Sequence, residues 1–184
     1  GGNPIKKVAS IGELVKNAIS DSLNGSSINC EFSIPDDLFP VEIDALQIKQ
    51  VIRNIVINAT EAMNGKGTIK VSCENAAVDE KELLTLKAGK YVLLSIKDQG
   101  TGIAPKNLAK IFDPYFSTKD MGADKGQGLG LSACHSIIKK HDGFITAESE
   151  LGVGTTLIIY FPAYEKEMEK LEPIQKIVPE KSMI

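Results

Sequence analysis

Tryptophan is missing from the 184 residues, aromatic side chains make up only 5% of them, and there are two histidines. Basic residues are not in excess either: 21 Lys and Arg stand against 24 Asp and Glu, a formal net charge of -3. A domain that grips nucleic acid carries a basic excess, and no basic cluster interleaved with stacking aromatics occurs here, so nucleic-acid recognition is not expected. Cysteine is scarce. Cys30, Cys73 and Cys134 are far apart and odd in number, with no CxxC pair and no histidine at zinc spacing. They read as reduced, mostly buried thiols of a cytosolic protein rather than as a disulfide framework. No apolar run approaches the ~20 residues needed to cross a bilayer. The start, Gly1-Gly2-Asn3-Pro4, has none of the apolar core of a signal peptide. The expectation is a cytoplasmic piece of a longer protein, which leaves a membrane-held parent open. The remainder, 42% hydrophobic and 24% charged, is close to a globular average. A single domain of this length buries roughly 70% of its unfolded surface.

Residues 1–10 read as a linker and 11–163 as the folded domain. Apolar residues at 11, 14, 15, 18 and 19 predict a helix over Ile11–Leu23, closed near Asn24-Gly25. Ile28–Ile34 resembles a strand stopped by Pro35. Asp44 is placed to cap a long helix to about Met63. Strands are predicted over Thr68–Asn75 and Tyr91–Asp98, with a polar hairpin excursion between them. A short helix near Pro105–Ile111 precedes an irregular stretch over 113–127, and a further helix runs from about Gly128 to Lys140. Phe144–Glu150 and Thr155–Phe161 form a hairpin around Gly152-Val153-Gly154. Residues 164–184 are charged, hold Pro173 and Pro179, and read as a second linker. This mixture predicts a two-layer α/β (α+β) sandwich, a mixed sheet covered on one face by helices.

Three stretches carry chemistry. In the Asp44–Met63 helix the apolar positions 48, 51, 52, 55, 56, 59, 62 and 63 form one stripe, with Gln47, Asn54, Asn58 and Glu61 along its edge. Carboxamides one turn apart present oxygens in line, and Mg²⁺ takes one or two oxygens from protein while keeping phosphate and water. Alone, the same amides also suit a solvated helix edge. In the strand ending at Asp98, Val92, Leu94, Ile96 and Asp98 share a face. A carboxylate closing an apolar row needs a donor, and the amino group of adenine is one. Gly100 and Gly102 follow, as they would in a plain Asp-Gly turn or in a loop that lets the backbone approach a base. Gly126-Gln127-Gly128-Leu129-Gly130-Leu131-Ser132 opens a helix, where N–H groups attract phosphate. No Gly-Lys-Ser/Thr follows, so it is not a Walker loop; with G-x-G-x-G spacing and no preceding strand it is not a dinucleotide fingerprint.

In order, these elements resemble the GHKL ATPase/kinase superfamily and its Bergerat ATP-binding fold. Gln50–Met63, with Asn54 and Asn58, is similar to the N box, and Asp98-Gln99-Gly100-Thr101-Gly102-Ile103 to the G1 box. Ile111–Lys119 is similar to the F box, Gly126–Leu131 to the G2 box, and Gly152-Val153-Gly154-Thr155-Thr156 to the last Gly-Thr element. Five boxes in order over about 44–162 are far more specific than any one of them. The resemblance implies ATP and Mg²⁺ as cofactors. Asn58 would hold Mg²⁺ with Asn54 assisting, and Asp98 would bind the adenine amino group, with Thr155 joining through a water. Gly100, Gly102 and Ile103 would line the base pocket, while Gly126, Gly128, Leu129 and Gly130 would wrap the triphosphate. Residues 113–127 would form the ATP lid, with Phe116 near the nucleotide and Lys119 at the terminal phosphates, where positive charge assists phosphoryl transfer.

Within the superfamily, gyrase-, MutL- and Hsp90-type ATPases and the anti-sigma serine kinases usually place a glutamate four residues before the metal-binding asparagine. Here that residue is Asn54, and a carboxamide takes no proton from water at neutral pH. A neutral imidazole already offers a lone pair, so the resemblance is closest to the sensor histidine kinases of two-component systems, of the nitrogen-regulation-like and hybrid types. Glu61 stands where many sensor kinases have Lys or Arg, as in an Asn-Ala-x-Glu-Ala subgroup. His135 and His141 lack the acidic neighbour of a phosphoacceptor and read as structural. The expected reaction is therefore transfer of the ATP γ-phosphoryl group to a histidine on an adjoining dimerisation domain, with a response-regulator receiver domain downstream. The piece itself is expected to be monomeric, with residues 1–10 leading from that dimerisation domain. A nucleotide-gated docking module and an ATP hydrolase are the other readings.

Overall fold

The computed structural model describes residues 2–79, 86–114, 116 and 125–165, with 125–129 as backbone only. In chain order the elements are β1 (Lys7–Ala9), α1 (Ile11–Leu23), β2 (Ser27–Ser33), β3 (Val41–Ile43), α2 (Ala45–Ala62) and β4 (Lys66–Val78). Then come β5 (Gly89–Lys97), α3 (Pro105–Leu108), α4 (Lys125–Lys140), β6 (Phe144–Glu150) and β7 (Gly154–Pro162). Five strands form one sheet in the order β2-β4-β5-β7-β6, parallel only between β2 and β4. β1 and β3 make a small antiparallel pair of their own.

The core follows from the two periodicities. Along α1, Ile11, Val15, Ala18 and Ile19 are buried; along α2, Ile48, Val51, Ile52, Ile55, Val56 and Ala59; along α4, Cys134, Ile137 and Ile138. These stripes meet the inward rows of the sheet: Ile69, Val71 and Cys73 on β4, Val92, Leu94 and Ile96 on β5, Leu157, Ile159 and Phe161 on β7. All belong to one cluster, so α1, α2 and α4 cover one face of the sheet. Each fully buried large side chain, such as Phe161 at 0% exposure, contributes about 1.5–3 kcal/mol. The opposite face carries a smaller patch in which Tyr91 and Phe144 pack edge-on against Tyr160. This is the expected two-layer sandwich.

The ends of α2 are fixed by named contacts. Asp44 caps it as the sequence predicts, its Oδ1 accepting from the N–H groups of Leu46 and Gln47. Its Oδ2 accepts from the N–H of Ile5, and that bond is the chief reason the Asp44 carboxyl lies below its ordinary pKa. The chain leading in is thus tied to the start of α2, and β1 lies where the sequence reads as linker. Three-residue strands such as β1 and β3 are too short to show a period. The N–H of Asp44 in turn donates to His141 Nε2, while His141 Nδ1 donates to the carbonyl of Ile137. His141, only 3% exposed, therefore clasps the C-terminal turn of α4 to the N-terminus of α2, a structural role. His135 is exposed and lies 5.8 Å from Phe112, ring to ring.

Two differences concern the functional stretches. The α4 helix begins at Lys125, three residues earlier than predicted, so Gly126, Gly128 and Gly130 lie inside its first turns and not in a loop before it. The lid stretch 117–124, with Lys119, falls outside the described residues, as do the middle of the 76–89 hairpin excursion and the tail from 166 onward.

Replacing His141 with alanine removes both bonds of the clasp and leaves the Asp44 N–H unpaired, while the Ile137 carbonyl keeps the backbone N–H of residue 141. The expected loss is about 2–3 kcal/mol, a Tm lower by roughly 4–12 °C in a thermal melt. Alanine at Gly25, where φ is +80° and the space is open, costs about 1–2 kcal/mol from the backbone alone. At Gly102, φ is +76° and a Cβ would lie 2.2 Å from the Glu150 carbonyl oxygen, so Gly102→Ala is expected to destabilise distinctly more in the same melt.

Candidate functional site

Asp98 closes the inward row of β5. It is 5% exposed, and its Oδ1 accepts two backbone N–H bonds, from Gly100 at 2.9 Å and from Thr155 at 3.1 Å. The Asp98 N–H donates to the Thr155 carbonyl, so the two residues are bonded twice across the β5–β7 edge. Burial raises the Asp98 pKa above its ordinary value, and the two N–H bonds pull it back part of the way. Among the described residues no cation or donor meets Oδ2. A carboxylate arranged in this way has one oxygen fixed by the fold and one free for a neutral donor.

The next strand extends the row. In the β6–β7 register Ser149 stands opposite Thr155, and their hydroxyls are 2.8 Å apart. Ser149 Oγ also accepts from the N–H of Ile103 at 2.7 Å and reaches the Gly154 carbonyl at 3.1 Å. Asp98, Thr155 and Ser149 thus form a polar line across the ends of three strands, and the 98–103 loop closes it into a ring by returning to Ser149. The loop glycines are required by protein contacts. A Cβ on Gly100 would lie 2.6 Å from that of Ala62 at the end of α2, and Gly102 abuts the backbone of Glu150. The Gln99 N–H donates to Met63 Sδ, and Gln99 Oε1 accepts from the Thr68 N–H. Of the residues expected at a base pocket, Asp98, Gly100, Gly102, Ile103 and Thr155 are therefore brought together. Ser149 escaped the sequence reading, and Met63 and Gln99 entered it only as members of their boxes, without the contacts they make here. Ser149 had a usable signal: Ile145, Ala147 and Ser149 alternate onto the core side, so it is a polar residue on an apolar row, like Asp98.

The second group lies along α2. Asn54 Nδ2 approaches the Gly130 carbonyl of α4 at a long 3.5 Å, and the Asn54 amide also bonds Cys134. The nitrogen end of Asn54 is engaged by α4, which leaves its oxygen as the ligand end. Asn58, one turn on, has no side-chain partner among the described residues. Gln47 does not join them: its Nε2 donates to the carbonyl of Gly2. On the outer side of Asn54, Leu46, Lys49, Gln50, Arg53 and Ile57 line an open groove of about 530 Å³ that carries two cations. The described residues include no cluster of three or more His, Cys, Asp or Glu fit for a metal. Two carboxamide oxygens beside cations suit a Mg²⁺ that arrives with phosphate ligands of its own, not one held by protein alone. Phe116 donates its N–H to Asp113, and Leu129 is described only as backbone. Burial pushes the Cys134 thiol up to about 12 and that of Cys73 to about 11, so neither is a nucleophile.

Comparison with known proteins bears on the family and the fold. Residues 43–165 match the family described as histidine kinase-, DNA gyrase B- and HSP90-like ATPase. Sensor kinase CckA of Brucella abortus (strain 2308) is 41% identical over 148 residues, which covers 79% of this chain and 15% of that protein. Sensor histidine kinase ZraS of Salmonella typhimurium is 32% identical over 153 residues, covering 83% of this chain and 30% of that one. The chain thus spans a minor part of these curated relatives. Among solved structures, the catalytic domain of histidine kinase ThkA in a nucleotide-free form superposes with a TM-score of 0.66 at 30% identity, over 86% of this chain and 95% of that one. Full-length ShkA, solved in complex with AMPPNP, shares the fold at a TM-score of 0.67 and 22% identity, over 87% of this chain and 31% of that one. The chain belongs to the histidine kinase-, DNA gyrase B- and HSP90-like ATPase family.

Proposed function

We propose that this domain is the catalytic ATP-binding module of a sensor histidine kinase, presenting Mg²⁺·ATP to a histidine on an adjoining dimerisation domain. The observation that carries the reading is the buried Asp98 carboxylate with one oxygen held by Gly100 and Thr155 and the other free. A neutral amino donor satisfies that oxygen without a counter-ion, and the adenine 6-amino group is such a donor. From Ala62, against which the base loop packs, to Asn54 is about 12 Å of helix rise, a span comparable with an extended nucleoside triphosphate. Base at one end of α2 and phosphates at the middle is the arrangement this supports.

Asn58, with the oxygen of Asn54, would hold the metal, and the free N–H groups of the first turn of α4, in the glycine-rich segment of Gly126, Gly128, Leu129 and Gly130, would take the triphosphate. Bound Mg²⁺ would neutralise charge on the phosphate oxygens. Phe116 and Lys119 belong to the lid in this reading, with Lys119 supplying a cation to the terminal phosphates. Asn54 cannot serve as a general base, which favours transfer to an imidazole over attack by water. The acceptor domain and a receiver domain are the partners this implies, and the module by itself acts as a monomer. No helix among the described residues is long and apolar enough to cross a membrane. A cytoplasmic site of action is part of the proposal.

Asp98→Asn keeps an oxygen for the two backbone N–H groups but turns an NH₂ toward the base. Loss of one charge-assisted bond is worth about 1.5–3 kcal/mol, so ATP affinity measured by calorimetry is expected to fall roughly 10–150-fold. The fold should survive. A carboxyl whose folded pKa is raised lends stability that is complete below the unfolded value of about 3.9 and is lost as pH rises through the folded one. The Tm of Asp98→Asn relative to the native protein is therefore expected to climb from acid to neutral pH. Asn58→Ala should blunt the Mg²⁺ dependence of binding more than the binding of ATP alone. For the reaction, the module mixed with the dimerisation domain of its own full-length protein and labelled ATP should yield acid-labile phosphohistidine. Steady phosphate release without labelling would point to a hydrolase instead.

A further inference from the structure

We propose that Ser149 is a positioning residue that sets the preference for adenine over 6-oxopurines, by fixing the direction of the Thr155 hydroxyl proton. The inference rests on the ATP-binding reading of the Asp98 pocket and concerns how that pocket tells one base from another.

A serine hydroxyl has one proton to give and two lone pairs to accept with. Three groups surround Ser149 Oγ: the Ile103 N–H at 2.7 Å, the Gly154 carbonyl at 3.1 Å and Thr155 Oγ1 at 2.8 Å. The N–H can only donate and the carbonyl can only accept. If the serine proton goes to Gly154, all three bonds form only when Thr155 donates its own proton to Ser149. Thr155 Oγ1 is then acceptor-only on every other side. Thr155, 6% exposed, stands between Ser149 and Asp98 in the row of strand ends. The free oxygen of Asp98 is an acceptor as well, since both bonds from the backbone end on Oδ1.

The pocket therefore presents two acceptors and no hydroxyl donor along this line. A 6-amino group has two protons and satisfies such a wall, directly or through water. A 6-oxo group brings a further acceptor and is left facing like charge. Discrimination of this type comes from unmatched buried polar groups and is larger than a hydrophobic pocket can supply. Without the Ser149 hydroxyl, the Thr155 proton is free to turn outward and donate to a 6-oxo oxygen, while Thr155 can still accept from adenine.

The test is calorimetric binding of ATP and of inosine triphosphate, each with Mg²⁺, to the native domain, Ser149→Ala, Ser149→Cys and Ser149→Thr. The native domain is expected to prefer ATP. In Ser149→Ala the ratio of the two dissociation constants should shrink about tenfold, chiefly because the inosine nucleotide binds better, and Ser149→Thr should restore it. Ser149→Cys, close to isosteric and a weak hydrogen-bonding group, should lose the preference as alanine does, and it stands in if the alanine variant does not fold. If alanine or cysteine weakens both nucleotides equally and leaves the ratio unchanged, Ser149 only ties down the Ile103 loop and the proposal is overturned. If the native domain binds neither nucleotide, it is the ATP-binding reading that fails.

Discussion

A carboxylate at 5% exposure with no cation beside it among the described residues is the constraint around which the rest is arranged. Asp98 lies at the end of an apolar strand row, where an unsatisfied charge would cost several kcal/mol. The fold meets this with two backbone N–H groups, one from the loop after β5 and one from β7, both directed at the same oxygen. Getting two backbones that close requires glycine. Gly100 lies against the end of α2, and a Cβ on Gly154 would come 2.2 Å from the Asp98 carbonyl oxygen. The glycines that look from the sequence like room for a ligand are first of all room for the protein's own chain.

Helix α2 connects this pocket to the rest of the machinery. At its start, Asp44 gathers the incoming chain through Ile5 and the end of α4 through His141. In its middle, Asn54 reaches Gly130 across to α4 and Asn58 stands open. At its end, Ala62 and Met63 support the loop that follows Asp98. One element thus sets the distance between the Asp98 pocket and the two asparagines, the ends of the proposed nucleotide site. The same element is tied to the chain that precedes α1 through the Ile5–Asp44 bond.

The chemistry open to this arrangement is narrow. The described residues that line the groove at Asn54 offer amide groups and the cations Lys49 and Arg53, but no carboxylate or imidazole that takes a proton from water. The buried thiols are held neutral. Such a site orients a nucleotide and offsets its charge, leaving the nucleophile to come from elsewhere. This supports the proposed transfer to a histidine on a separate domain over intrinsic hydrolysis.

Much of this was legible in the residues themselves. Long stripes at period 3.6 fixed α1 and α2, Asp44 announced its helix as a cap, and the alternation in Tyr91–Asp98 placed the carboxylate on the inner face. Order and spacing of the boxes pointed to the family. What the linear pattern could not show were the features that depend on two distant segments meeting. Strands β1 and β3 are too short to carry a period and exist because they pair with each other. His141 has no motif around it and acquires its role only when α4 ends beside Asp44, 97 residues away in sequence. Gln47 shares its helix edge with the asparagines yet is turned to Gly2. Ser149 becomes part of the pocket because the β6–β7 register sets it opposite Thr155. Local propensity and hydrophobic period are properties of one stretch of chain and are written in its sequence. Hydrogen bonds between strand ends, and the direction of a shared proton, exist only once packing has brought those ends together.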